Sequence, residues 1–228
     1  MGKRTRVTKK GLKHDAFVET TAKGTKFIEE HLSKLLIGAA AVLVALVVVF
    51  FVVRGQKAAN REAQGLLAVA TESLNQGLMA QASDQYRGVI EAYPGTRSAG
   101  AATCYLGSIL FHQKQYDEAL AQFDAYLNDY GSPGNLRVIA LEGKAAVFEQ
   151  RRDFQAASTL YEQLATERKA EPAAAARSLM AAARCQRAAQ NWEAVKSLAG
   201  RVVADYPDTP SAGDARVALA EASALTTP

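Results

Sequence analysis

Three arginines on one predicted helix are the residues whose types and spacing point most directly to chemistry. Arg177, Arg184 and Arg187 are separated by seven and three residues, so an α-helix presents them on one face. Guanidinium groups bind carboxylates through charge-assisted hydrogen bonds, which predicts a groove for acidic or C-terminal carboxylate segments of a partner protein. Glu142 and Glu149, also seven residues apart, allow a second interpretation. They would form a Glu–Arg ladder between neighbouring helices, worth about 0–1 kcal/mol per exposed pair.

The sequence carries no recognisable catalytic constellation. It contains no Gly-rich phosphate loop after a predicted strand, no Gly-x-Ser-x-Gly and no His-Glu-x-x-His motif. His112 is the only histidine after residue 55, and its place near the end of a predicted helix favours a surface or groove position. Asp117 and Glu118 are adjacent, so their side chains point apart on a helix. We therefore expect no enzymatic activity, no cofactor, no metal site and no small-molecule substrate.

An apolar segment from Leu35 to Val53 predicts one transmembrane helix. Its 19 residues include no charged side chain, and Lys34 and Arg54 flank it. At 1.5 Å per residue the segment is about 28 Å long, close to the thickness of the hydrocarbon core of a bilayer. A cleaved signal peptide is disfavoured, because its apolar stretch has only about 7–15 residues.

Basic residues are concentrated on one side of this segment. Residues 1–34 contain nine Lys and Arg against four Asp and Glu, whereas residues 55–228 contain 17 against 19. The positive-inside rule then places the N-terminus in the cytoplasm and the large C-terminal domain on the other side of the membrane. In a bacterial cell this is a single-pass inner-membrane protein with a periplasmic domain. The nearly neutral domain gives no electrostatic reason to expect nucleic-acid binding.

The arm and the apolar segment each suggest a further contact. Residues 12–34 mix large apolar residues with Lys and Glu, so the arm is either an amphipathic helix on anionic headgroups or a solvated tail that only sets topology. Within the apolar segment, Gly38, Ala41 and Ala45 form a stripe of small residues at spacings of three and four. Small residues let membrane helices approach closely. We predict that this stripe packs against another span or a second copy of the chain, the alternative being a passive tether.

A helical pattern recurs through residues 58–228. Tyr116, Phe154 and Trp192 are spaced by 38 residues, and each is followed three residues later by Ala or Val. A weaker copy begins at Met79, 37 residues before Tyr116. Tyr-Pro dipeptides end at Pro94 and Pro207, and Leu106-Gly107 lies where the first helix of a pair would pack closely on its partner.

This period predicts an all-α solenoid of about four helix pairs with a C-terminal capping helix. The first helix is a candidate for continuity with the membrane helix. The predicted domains are a basic cytoplasmic arm (1–34), a transmembrane helix (35–53), a connecting helix with the start of the first repeat (54–78), and the solenoid with its cap (79–228). The predicted helices lie near 58–77, 79–93, 97–113, 116–130, 134–151, 154–168, 171–190, 192–206 and 210–225.

Both cysteines fall in first helices of predicted pairs. Cys104 and Cys185 lie two repeats apart, whereas a disulfide needs Cα atoms within about 7 Å. We therefore expect two small buried side chains and no bridge between them.

These residues resemble the tetratricopeptide repeat, which has Leu-Gly in its first helix, then aromatic, Ala and aromatic residues in its second, and Pro at the end. The whole chain, with its basic arm, one uncleaved span and Tyr-Pro-x-Thr junctions, is similar to the ancillary subunits of the bacterial Sec translocon. Their repeat domain is shared with the periplasmic cell-division coordinator of the Tol-Pal system. The resemblance implies a scaffold whose partners are translocon subunits, periplasmic chaperones or emerging polypeptides. The alternative is an envelope-organising protein that couples cell division or wall synthesis to membrane machinery.

Overall fold

The protein is all-α over residues 9–131 and 134–226, which the computed structural model describes. Within these ranges there is no strand, and short turns join the helices, which confirms the predicted all-α solenoid of four helix pairs with a cap. Apart from the start of the first helix, every predicted helix end lies within two residues of the observed one. The helices are α1 (Lys9–Asn75), α2 (Met79–Ala92), α3 (Arg97–His112), α4 (Tyr116–Ala125, continued by a π-helical turn over Tyr126–Tyr130), α5 (Asn135–Gln150), α6 (Phe154–Glu167), α7 (Pro172–Ala188), α8 (Trp192–Asp205) and α9 (Ser211–Thr226).

Helix α1 begins in the arm at Lys9 and contains the predicted span. The chain divides into two units, Met1–Lys57 and Ala58–Pro228, and α1 has residues in both. By length and composition, Leu36–Asn75 is a helix able to cross a membrane. Its large apolar side chains up to Val53 are exposed, whereas a core helix of a soluble protein would bury them. The contact of the arm with headgroups stays a prediction.

Each helix pair turns through the same backbone motif. The residue two positions before each second helix has a left-handed φ, and the next residue donates its N–H to a carbonyl five residues back. This is the Schellman ending of a helix, which satisfies carbonyls that have no partner in the last turn. The left-handed residues are spaced by 37, 38 and 38, so the backbone repeats with the period of the sequence. They are Gly77 (φ 78°), Lys114 (63°), Arg152 (62°) and Gln190 (59°).

Phe123 fills the space between the second and third helix pairs. Its buried ring packs on α3 at Gly107 and on α5 at Gly143. A Cβ atom at Gly107 would lie 2.8 Å from Cε1 of Phe123, and one at Gly143 would overlap the same ring. The close approach predicted at Leu106-Gly107 is therefore confirmed, and Gly143 provides a second one.

Two apolar clusters form the core of the repeats. One extends from α1 to α5 around Phe123, and the other from α5 to α9 around Leu179. Cys104 lies in the first cluster and Cys185 in the second; both are buried and free. Burial raises the pKa of each thiol to about 12, so both remain neutral at physiological pH. Their predicted place as small buried side chains is confirmed.

Each of the two Tyr-Pro junctions contains the same type of hydrogen bond, from a threonine hydroxyl to the carbonyl of the tyrosine three residues earlier. Thr96 caps α3: its hydroxyl accepts from the Ala99 N–H at 3.1 Å and donates to the Tyr93 carbonyl at 2.8 Å. Thr209 donates to the Tyr206 carbonyl at the same distance, just before α9 begins. Helix α9 packs on α7 and α8 as the predicted cap, through four buried alanines, Ala212, Ala215, Ala218 and Ala222.

Candidate functional site

The first helices of three successive pairs line an open groove of about 500 Å³. Helices α3, α5 and α7 supply most of its lining, as expected for the concave face of a solenoid. We call this feature the concave groove. It is lined by Ser108, Phe111, His112, Phe123, Ile139, Glu142, Gly143, Ala146, Tyr161, Arg168, Ala174, Arg177, Ser178, Ala181 and Arg184.

Arg184 belongs to a polar cluster at one side of the concave groove. Its guanidinium donates to Oε1 of Glu149 at 2.8 Å, and the Tyr161 hydroxyl donates to the same oxygen at 2.7 Å. The guanidinium carbon lies 6.0 Å from the centroid of the Tyr161 ring, within the range of a cation–π interaction. Burial, with the bond to Glu149, raises the pKa of Tyr161, so the hydroxyl stays a donor at neutral pH. Arg184 and Glu149 therefore form one ion pair of the predicted Glu–Arg ladder.

Arg177 has a different environment, although it lies seven residues before Arg184 on the same helix. Its side chain is exposed and lines the concave groove. Among the described residues no carboxylate lies within 4.0 Å of it, so the ladder does not form between Arg177 and Glu142. Arg177 also lines a second cavity of about 180 Å³ with Asp214 of α9.

Arg187 lies outside the concave groove, because its guanidinium pairs with Glu221 of α9 at 2.6 Å. It lines a separate cavity of about 290 Å³ between α7, α8 and α9, which Arg184 also borders. The three predicted arginines therefore share α7 but not one cavity. Arg177 and Arg184 lie in the groove, and Arg187 binds the cap.

Solved structures similar to this chain share the helical-pair arrangement. A tetratricopeptide repeat protein from Parabacteroides merdae is 16% identical with a TM-score of 0.59, over 72% of this chain and 61% of that one. Nearly identical TPR-like repeats related to kinesin light chain, from Podosopora anserina, are 19% identical with a TM-score of 0.57, over 72% and 86%. The fold is a tetratricopeptide-repeat solenoid. This chain spans about three fifths of the length of the Parabacteroides protein.

A third solved structure is also similar to this chain, whereas comparisons with family models and curated proteins find no match. A double mutant of MamA from RS-1 is 15% identical with a TM-score of 0.51, over 73% of this chain and 97% of that one. No protein-family model matches the sequence, and no curated protein matches it. At such identities the likeness concerns the fold, so the function has to be argued from the groove.

The sequence pattern identified arginines of the concave groove but not the apolar part of its lining. This lining includes Phe111, Ile139, Ala146 and Ala181, of which Phe111 and Ile139 are half-buried. The repeat period contains the missing signal, because adding 38 to Ile139 gives Arg177 and adding 38 to Ala146 gives Arg184. Shifting the arginine positions back by one repeat would have located the groove on α5.

Neither a metal cluster nor a contact at the small-residue stripe is seen in the described part of the chain. Among the residues from 34 onwards whose side chains the structure describes, no group of three or more His, Cys, Asp or Glu is placed to hold a metal ion. Gly38, Ala41 and Ala45 are exposed on α1, and a Cβ atom at Gly38 would meet nothing within 4 Å. The predicted packing of this stripe therefore concerns another chain and stays a prediction.

Proposed function

We propose that this protein is a membrane-anchored scaffold that binds other proteins on the extracytoplasmic side of a bacterial inner membrane. The observation that carries the proposal is the open concave groove, lined by three successive first helices, on a chain that also has a candidate membrane span. Solenoid grooves of this kind are extended binding surfaces.

The partners that we propose are translocon subunits, periplasmic chaperones and polypeptides emerging from the Sec translocon. The charge distribution supports this placement, because the nine basic residues of the arm favour a cytoplasmic N-terminus and a periplasmic solenoid. The full-length arrangement of arm, span and Tyr-Pro repeat junctions also resembles that of ancillary translocon subunits. In this role the span would keep the groove near the exit of the channel.

Photo-cross-linking in intact cells tests this function. A photoreactive phenylalanine analogue replaces Ile139 in the concave groove or, as a matched control, the exposed Ser197 on α8, which lines none of the cavities described above. We expect the probe at Ile139, and not the one at Ser197, to capture translocon subunits, chaperones or exported polypeptides. Division or wall-synthesis proteins at Ile139 would favour the envelope-organising alternative. No protein product at Ile139 would contradict the scaffold function.

The membrane helix is proposed to contact a partner through its stripe of small residues. Replacing Gly38 and Ala41 together by leucine keeps the segment apolar but adds bulk, which prevents close helix approach. We expect co-purification of membrane partners, or of a tagged second copy, to fall several-fold from gently solubilised membranes. Val47→Leu, on the bulkier side of the helix, is the control and should change neither. Unchanged recovery with the double variant would identify the span as a passive tether.

A further inference from the structure

The three guanidinium groups of the concave groove differ in their availability to a ligand. Arg184 is bound to Glu149 at 2.8 Å, and Arg168 is bound to Glu171 at 2.8 Å. Either cation would have to leave an existing carboxylate before it could bind a new one. Arg177, which is exposed and has no carboxylate within 4.0 Å among the described residues, is available without such an exchange.

Two acidic side chains near Arg177, Glu142 and Glu171, act on Arg168, and Asp214 of α9 lines the second cavity with Arg177. Glu171 has a lowered pKa because Arg168 binds it directly, and Arg177 contributes only a weaker long-range attraction. Glu142 also lines the groove, and it adds to the raised pKa of Arg168, whose chief cause is the bond to Glu171. Of the three groove arginines, Arg177 is therefore the one that has no carboxylate within 4.0 Å among the described residues.

An apolar surface accompanies this cation. Phe111 and Ile139 are half-buried in the groove lining, which also includes the small side chains of Ala146 and Ala181. An apolar side chain that packed on Phe111 and Ile139 would be removed from water, which favours binding. The groove therefore combines an apolar surface with the guanidinium of Arg177, which has no carboxylate partner among the described residues. The planar guanidinium can bind a carboxylate through two parallel hydrogen bonds.

We propose that Arg177 selects the partner segment, and that this segment carries an Asp, a Glu or a terminal carboxylate close in sequence to a large apolar residue. The carboxylate pairs with Arg177, and the apolar side chain packs on Phe111 and Ile139. This inference rests on the proposed scaffold function, because it names the chemistry of the segment that the groove receives. The chain's own arm is a poor occupant, since it holds nine basic residues against four acidic ones.

Peptide selection on the full-length chain in lipid nanodiscs tests this assignment. A phage-displayed library of random 12-residue peptides is the probe, and empty nanodiscs remove lipid binders. We expect the selected peptides to be enriched in Asp or Glu beside Leu, Phe or Trp. Affinity for the synthesised peptides should fall about tenfold or more in Arg177→Gln, because the variant loses a charge-assisted hydrogen bond to the carboxylate.

Arg187→Gln is the matched control, because Arg187 lies on the same helix but outside the concave groove. It should leave the affinity unchanged, and Arg177→Lys should restore only part of it because lysine lacks the fork. Both arginines are exposed, and thermal unfolding followed by circular dichroism verifies that the variants fold.

Three outcomes would overturn the role of Arg177: no enriched peptide, peptides without acidic residues whose binding does not need a free C-terminal carboxylate, or equal affinity for Arg177→Gln. These outcomes differ from a failure of the scaffold function. A groove probe at Ile139 that captures partners in cells while Arg177→Gln binds the peptides normally would refute only the carboxylate preference. An Ile139 probe that captures no protein refutes the scaffold itself.

Discussion

Gly143→Ala is expected to destabilise the repeat domain by about 1–3 kcal/mol, although the same substitution in an unhindered helix stabilises it by about 1 kcal/mol. The new methyl group would overlap the buried ring of Phe123, which already rests against Gly107 on its other neighbour helix. Because the ring lies between two helices, it cannot move away without disturbing α3. Chemical unfolding of the full chain, followed by circular dichroism, measures the change in free energy of unfolding.

Gly88 on α2 provides the matched control for this substitution. It lies inside a helix, and a Cβ atom there would meet nothing within 4 Å. Gly88→Ala should therefore stabilise the domain, with a sign opposite to that of Gly143→Ala. Phe123→Leu should lower the cost of Gly143→Ala, because the smaller side chain makes room for the methyl group. Equal stability of the two alanine variants would contradict the packing described between Phe123 and α5.

Much of the fold was predictable because one helical unit repeats. The spacing of Tyr116, Phe154 and Trp192 gave the period and therefore the order of the helices. Each unit buries its apolar face only against its neighbours, so the pattern in one unit constrains the next. The continuity of α1 was an open alternative, since only a weak break around Gly55 separates the span from the first repeat.

Other features depended on backbone and side-chain details that the pattern does not encode. Lys114, Arg152 and Gln190 adopt left-handed φ angles that normally favour glycine or asparagine, so their types did not mark the turns. Gly143 gave no signal of its own, because its role depends on an aromatic ring 20 residues earlier in the chain.

For the candidate site, helical spacing placed the arginines on one face and offered Glu142 and Glu149 as partners, but it could not decide which of the pairs would form. Arg187 was predicted to lie with the other two arginines because helical spacing does not reveal its pairing with Glu221. That pairing depends on how α9 packs. Arg184 is paired and Arg177 is not because Glu149, which lies on another helix, accepts hydrogen bonds from Arg184 and from the Tyr161 hydroxyl. Partner choice of this kind is a tertiary property.

Labelling of one introduced cysteine in intact spheroplasts is expected to give an all-or-none result. Val217→Cys introduces a thiol at a position on α9 whose native side chain is 68% exposed, and Thr8→Cys introduces one in the basic arm. A membrane-impermeant maleimide should label the first variant and leave the second unlabelled until the membrane is permeabilised. We expect this result because the positive-inside rule predicts that the arm stays in the cytoplasm and that the repeats lie outside it.

The native thiols give this measurement a low background. Cys104 and Cys185 are buried, and burial raises the pKa of each to about 12, so little reactive thiolate exists at neutral pH. The wild-type chain is therefore the control and should remain unlabelled in both preparations.

This labelling pattern tests the central claim most directly, because the side of the membrane on which the groove lies determines which proteins can reach it. The account predicts that the cysteine at position 217 reacts in intact spheroplasts and that the cysteine at position 8 reacts only after permeabilisation. The reverse pattern, or labelling of both positions before permeabilisation, would contradict an extracytoplasmic scaffold held by one membrane span.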